Sequence, residues 1–399
     1  MVRVSPSGYF GTSVVLNNKS GKKEHAEMTA QDLLRLMASK KASDLFVTAN
    51  APPSLKIDGQ VLPVKTASLT GADTRRIAFS LMNKEQQRSF EQEKDANFAV
   101  IPDGLGRFRV NIFQQQGEVG IVVRHISSHI PTFDELALPS PVLEKLALAR
   151  RGLIVFVGGT GTGKSSTQAA VVGYRNQHTR GHIVTIEDPI EFVHQHDRCI
   201  VTQREVGVDT ASFRSALENA MRQAPDVIQI GEIRTPETMQ SAIVFAETGH
   251  LCLATLHANN TYQALERIIN LYPDDSRSHL YMDLSMNLRA IVSQRLIRRS
   301  GGDGFVPAVE ILLNTPLISD RILKGEINEI KEVIEKSTDE GMITFDQSLF
   351  DLVERGLITY EDAMRNADSE NNLRLRIKLE GRSAHEKRSI GATFDNIEF

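Results

Sequence analysis

The residues Gly158-Gly159-Thr160-Gly161-Thr162-Gly163-Lys164-Ser165 follow directly on the apolar run Leu153–Val157. They fit the pattern G-x-x-x-x-G-K-[ST] in full. That pattern predicts a buried strand, a glycine-rich loop and a helix that starts near Lys164. The glycines allow backbone amides to approach phosphate oxygens closely. The helix N-terminus adds the positive end of its dipole. Lys164 is placed to reach β- and γ-phosphates, and the Ser165 hydroxyl to ligate Mg2+. The nucleotide-binding set is therefore Gly158, Gly159, Thr160, Gly161, Thr162, Gly163, Lys164, Ser165 and Ser166. A chance glycine-rich turn is the bland alternative, and the agreement of strand, loop and helix signals argues against it.

The surrounding pattern extends this unit into an α/β domain. Short, continuously apolar runs recur at Ile183–Ile186, Val227–Ile230 and Leu251–Leu256. Such runs suit a parallel sheet covered on both faces. From about Thr261 onward the chain reads as mostly helical. Within it, Arg295, Arg298 and Arg299 form a basic cluster on an expected helix, read as a solvated or ion-paired face rather than a docking surface. Phe345, Leu349, Leu352 and Val353 read as core.

A smaller α/β domain precedes. Leu33, Leu34, Leu36 and Met37 share one helical face. Asp44 to Thr48 reads as a strand. Asp58-Gly59 between Ser54–Ile57 and Gln60–Pro63 predicts a tight hairpin. Thr70 to Phe90 reads as helical. Three strand-like runs follow, at Asn97–Ile101, Arg107–Phe113 and Val119–His125. The proline-bearing segment Ser127–Pro141 reads as a linker. Residues 1–27 are polar and aperiodic, and read either as a disordered tail or as an upstream extension. Residues 381–399 read as a flexible tail.

Two acidic clusters lie just beyond expected strand ends, where open α/β sheets bind ligands. One is Glu187-Asp188-Pro189-Ile190-Glu191, and the other is Gly231-Glu232. Hydrolysis of a phosphoanhydride needs a water held for in-line attack and a metal held beside the phosphates. Strand-end placement favours Glu191 and Glu232 for this work. Asp188 is open between a functional role and shaping the turn before Pro189. His257, at another strand end, is open between sensing a γ-phosphate and a structural role, as is His250.

Composition narrows the remaining classes. The 46 Lys and Arg side chains nearly balance the 50 Asp and Glu side chains of the 399-residue chain, which gives no basic excess of the kind a nucleic-acid binder carries. The two cysteines, Cys199 and Cys252, make no Cys-x-x-Cys pair and read as buried thiols of a reducing compartment. No apolar run approaches the roughly 20 residues that span a bilayer. A cytoplasmic location is expected, with membrane contact only through partners.

The motifs together resemble the secretion-type ATPases, and within them the twitching-motility ATPases of type IV pili. The resemblance runs from about Met28 to Leu379. Beside the Walker A loop it rests on an Asp box, Thr185-Ile186-Glu187-Asp188-Pro189-Ile190-Glu191-Phe192. It rests further on a Walker B box with Gly-Glu, Ile230-Gly231-Glu232-Ile233-Arg234, and on a His box, Thr248-Gly249-His250 through Ala254-Thr255-Leu256-His257-Ala258-Asn259. Ser43-Asp44-Leu45 and Gly106-Arg107-Phe108-Arg109 resemble the family's N-terminal domain.

The resemblance implies a PAS-like N-terminal domain over 28–126, a linker over 127–141, a RecA-like P-loop core over 142–270 and a helical C-terminal part over 271–380. It implies Glu191 as the carboxylate that activates water, Glu232 as the Mg2+-site glutamate and His257 as a phosphate-proximal histidine. Arg109 and Arg124 match arginines that stabilise charge in phosphoryl transfer. Their bland alternative is a solvent-facing strand arginine beside an acid. It further implies a homo-hexamer that binds ATP and Mg2+ at the inner-membrane base of a pilus, touching a platform protein. Leu317-Ile318-Ser319-Asp320-Arg321-Ile322-Leu323-Lys324 departs from the Ala-Ile-Arg-Asn-Leu-Ile-Arg-Glu segment of principal retraction ATPases. The chain is more similar to the accessory retraction ATPases that act beside them. A secretion or DNA-uptake motor, and a nucleotide-binding subunit without turnover of its own, are the competing readings. The tetracysteine zinc element of many assembly and secretion ATPases is absent.

Overall fold

The computed structural model describes residues 28–302 and 304–381. The expectations for residues 1–27 and for the tail beyond 381 lie outside them. The chain divides into two units, one ending at His129 and one beginning at Ile130.

The first unit is built on a six-stranded antiparallel sheet ordered β3-β2-β1-β6-β5-β4, from β1 (Asp44–Val47), β2 (Ser54–Ile57), β3 (Gln60–Pro63), β4 (Asp95–Val100), β5 (Arg107–Gln115) and β6 (Glu118–Ile126). Helices α1 (Ala30–Ser39), α2 (Gly71–Leu81) and α3 (Lys84–Glu93) complete it. The period of two in β5 buries Phe108, Val110 and Ile112 against Leu33, Leu34 and Met37 of α1 and against Ile121 and Val123 of β6. Asp58 and Gly59 both take positive φ, as the tight hairpin turn requires. The range Thr70–Phe90 is helical as expected, and divides into α2 and α3. Asn83 accepts hydrogen bonds from the Glu85 and Gln86 amides at 3.0 and 2.9 Å, and so starts α3 afresh.

The second unit carries a seven-stranded sheet ordered β13-β12-β7-β11-β10-β8-β9. Its strands are β7 (Gly152–Val157), β8 (Gly181–Glu187), β9 (Cys199–Glu205), β10 (Val227–Ile230), β11 (Leu251–Leu256), β12 (Leu288–Arg298) and β13 (Phe305–Leu313). All neighbouring pairs are parallel except β12 with β13. The helices are α4 (Ser140–Ala147), α5 (Lys164–His178), α6 (Phe213–Ala220), α7 (Pro236–Glu247), α8 (Thr261–Asn270), α9 (Arg277–Asn287), α10 (Pro316–Lys324), α11 (Ile330–Lys336), α12 (Phe345–Glu354), α13 (Tyr360–Asn366) and α14 (Glu370–Glu380).

Alternate residues of the buried strands serve opposite layers. Leu153, Val155 and Val157 face a core shared with α6 to α11, whereas Ile154 and Phe156 face one shared with α4 and α5. Cys252 lies fully buried in β11, where burial pushes its thiol pKa up, and Cys199 is buried at the start of edge strand β9. Both cysteines are free.

The C-terminal third is mostly helical, as expected, but it also supplies β12 and β13, a long antiparallel pair that joins the sheet through β7. Two expectations are corrected here. Arg295 and Arg298 accordingly stand on a strand, with Arg299 just beyond it. The segment expected as a linker packs into the second unit from Ile130 on, with Phe133 and Leu138 buried in its core. Phe345, Leu349 and Leu352 are buried as expected, with Val353 packed beside them.

Candidate nucleotide site

Parallel order makes the C-terminal ends of β7, β8, β10 and β11 emerge along one edge of the sheet. The glycine-rich loop, Glu191, Glu232 and His257 follow these four ends, so segments about 100 residues apart in sequence line one cavity. Its wall includes Thr160, Gly161, Lys164, Ser165, Glu187, Asp188, Glu191, Glu232 and His257.

The loop is held against β12. A Cβ on Gly163, whose φ is 88°, would lie 2.7 Å from Gln294 Nε2. A Cβ on Gly158 would lie 2.7 Å from the Gln294 carbonyl oxygen. Only glycine fits at either point. Thr167, one turn into α5, donates to Gln294 Oε1 at 2.7 Å. Lys164 Nζ donates to the carbonyls of Gly158 and Gly159 at 2.9 and 2.7 Å. Burial lowers its pKa, while the charges of Glu232 and Glu191 work to raise it. Thr162 Oγ1 donates to the Gly159 carbonyl at 3.0 Å and closes the loop on itself. Ser166 sits in the first turn of α5 and is not on the cavity wall.

Glu232 is fixed from two sides. Arg234 Nε donates to its Oε2 at 2.7 Å, and His257 Nε2 lies 3.2 Å from its Oε1. Glu191 stands exposed on the cavity wall. His250 is elsewhere, with Nδ1 3.1 Å from the Phe245 carbonyl at the end of α7. Arg109 and Arg124 belong to the first unit. They are direct cross-strand partners on β5 and β6, and Arg124 Nε pairs with Asp44 Oδ1 at 2.8 Å.

The cavity also holds groups that the sequence reading left without a role. Glu187 ends β8 as a buried carboxylate that accepts from Thr185 Oγ1 at 2.6 Å and Gln203 Nε2 at 3.1 Å, and burial pushes its pKa up. The alternation of β8 puts Thr185 and Glu187 on one face, a signal that was available. Gln229 is the polar residue in the otherwise apolar β10, a second available signal. Gln168 Nε2, Gln229 Oε1 and His194 Nδ1 are buried with no hydrogen-bond partner among the described residues, and all three residues line the cavity. Unpartnered polar atoms at a wall suit a polar ligand. Among the described residues no group of three His, Cys, Asp or Glu side chains could hold a metal by itself. A cation here would draw oxygens from Ser165, from Glu232 and from the phosphates of a nucleotide, the donor set that suits Mg2+.

Residues 20–311 match the family model for type II/IV secretion system proteins. The chain belongs to this family. Its relatives place it in the PilT/PilU-type pilus ATPase branch. It is 56% identical over 352 residues to the Type IV pilus ATPase PilU of Pseudomonas aeruginosa, covering 88% of this chain and 92% of that one. It is 38% identical to the PilT retraction ATPase of the same organism, covering 86% of this chain and all of the relative. A crystal structure of the pilus retraction motor PilT with bound ADP superposes with a TM-score of 0.81 at 38% identity, covering 88% of this chain and 100% of that chain. Among the described residues no helix is long and apolar enough to cross a membrane.

Proposed function

We propose that this chain is a Mg2+-dependent ATPase that works as a hexameric motor in type IV pilus retraction, as an accessory to a principal retraction ATPase. The observation that carries the reading is the convergence of Lys164, Ser165, Glu191 and Glu232 on one cavity at the strand-end edge. The greater identity to the relative named PilU than to the one named PilT favours the accessory role.

In this reading Lys164 leaves the carbonyls of Gly158 and Gly159 to meet β- and γ-phosphates. Ser165 and Glu232 hold the metal, and Arg234 and His257 keep the Glu232 carboxylate aimed. Mg2+, when bound with the nucleotide, neutralises charge that develops on the phosphates. Glu191 orients the attacking water and takes its proton. Arg109 and Arg124 stabilise the developing charge. A platform protein at the inner-membrane pilus base and the principal retraction ATPase are the proposed partners, with membrane contact only through them and no nucleic acid.

The test is Mg2+-dependent phosphate release by the full-length protein beside Glu191→Gln. Loss of a general base should lower turnover by about 10²- to 10⁴-fold with ATP still bound. Wild-type turnover in the variant would remove Glu191 from the mechanism. Binding without any turnover in the wild type would instead favour a nucleotide-binding subunit.

A further inference from the structure

Glu191 sits on a loop, yet its carboxylate must be held to within a fraction of an ångström if it is to orient a water. The stretch from Asp188 to His194 leaves β8 and gains its rigidity from neighbours. Gln203, midway along β9, supplies most of it. Its Oε1 accepts from the His194 amide at 2.8 Å. Its Nε2 donates to the Phe192 carbonyl at 2.8 Å and to Glu187 Oε1 at 3.1 Å. One side chain therefore grips the loop just beyond Glu191, at Phe192 and His194.

The surroundings dictate the orientation of this amide. Turned over, Nε2 would face the His194 N–H, donor against donor, and Oε1 would face two acceptors. The anchor is firm, because β8 and β9 are paired in parallel with Thr185 opposite Gln203. Thr185, Gln203 and Glu187 thus form one hydrogen-bonded row at the floor of the loop. A second β9 residue, Glu205, accepts from the Ile190 amide at 3.3 Å.

We propose that Gln203 is a positioning residue for hydrolysis, holding the Glu191 loop in register with the nucleotide through hydrogen bonds to Phe192 and His194 just after the carboxylate and to Glu187 at the end of β8. This inference rests on the reading of Glu191 as the water-orienting group. Gln203 touches no phosphate in this scheme and acts only through the loop. Its removal leaves the glycine-rich loop, Lys164 and Glu232 in place, and so leaves nucleotide binding intact. What is lost is alignment, for which a displacement of about 1 Å costs on the order of 100-fold in rate.

The experiment compares full-length wild type, Gln203→Leu, Gln203→Glu and Glu191→Gln. Gln203→Leu removes all three hydrogen bonds at similar volume. Gln203→Glu keeps the acceptor for His194 and loses both donors, and it serves if the leucine variant does not fold. Each is assayed for binding of a fluorescent ATP analogue, for steady-state phosphate release and for its thermal midpoint. The expected result is a fall in kcat of about 10- to 100-fold in both Gln203 variants, with analogue affinity unchanged. Parallel losses of affinity and kcat would mark a merely structural role and overturn the proposal. Full kcat in both Gln203 variants beside a stalled Glu191→Gln overturns it while leaving the Glu191 reading intact. Full kcat in Glu191→Gln removes that reading, and this inference with it.

Discussion

His194 is 8% exposed, and burial pulls its pKa down to about 4. Its ring therefore stays neutral in the folded chain where the unfolded chain has already taken up a proton. Above its ordinary value of 6.5 both states are neutral, and the difference vanishes. Below it, stability falls until the pH reaches the folded-state pKa near 4. A displacement of that size, at about 1.4 kcal/mol per pH unit, amounts to about 3 kcal/mol. His194→Leu should remove that loss, so denaturant unfolding of wild type and variant should diverge between pH 6.5 and 4. Parallel stability curves would refute it. Glu187 and Glu310 act in the opposite sense. Burial raises both pKa values, so each favours folding at low pH and withdraws that support as pH rises through the folded value. The residues assigned from motifs (Lys164, Ser165, Glu191, Glu232, His257) were readable because each is tied to a strand end or a loop pattern. His194 and Gln203 were not. Their meaning lies in contacts across the β8–β9 pair, and hydrogen-bond partners of that kind leave no local periodicity.

Strand β12 shows the same division at the level of elements. Arg295, Arg298 and Arg299 fit the spacing of a helix face, and that spacing misled. The apolar run around Ile291 and Val292 and the Gly301-Gly302-Asp303-Gly304 turn signal before Phe305–Leu313 favour a hairpin once weighed together. Tertiary burial settles the choice, because both strands lie in the sheet interior or under α12. Arg295 is then no surface cation. Its guanidinium stacks 3.9 Å from the Phe345 ring centroid, pairs with Asp368 at 2.9 Å and donates to the carbonyls of Asn366 and Asn259 at 2.9 and 3.3 Å. One side chain thus ties the α13–α14 turn to the loop just after His257. Arg295→Met should cost about 2–3 kcal/mol, because Asp368 is left largely buried with only Lys331 nearby at 3.4 Å. Chemical denaturation measures this. An unchanged midpoint would mean that Lys331 compensates fully. The buried Phe133 and Leu138 make the related point that three prolines signal an irregular path, not an exposed one.

On the scale of the whole chain, the α/β class and the two-unit plan followed from the alternation of apolar runs and from the proline-bearing segment Ser127–Pro141. The order of the strands did not, since nothing local states that β7 lies between β11 and β12. That order has a practical consequence through the two cysteines. Cys252 is sealed in an inner strand of the sheet, and Cys199 begins the strand at its edge, with Sγ 3.3 Å from the Thr179 carbonyl. Edge strands open in local fluctuations, whereas inner strands open only with the molecule. A thiol reagent applied under native conditions should therefore mark Cys199 first and Cys252 at the rate of global unfolding, with Cys199→Ser and Cys252→Ser assigning the two phases. A single shared rate would mean that the sheet opens as one body. The chain has no tryptophan to report on its own unfolding. Its sulfurs can serve instead as two stopwatches, one at the rim and one at the centre.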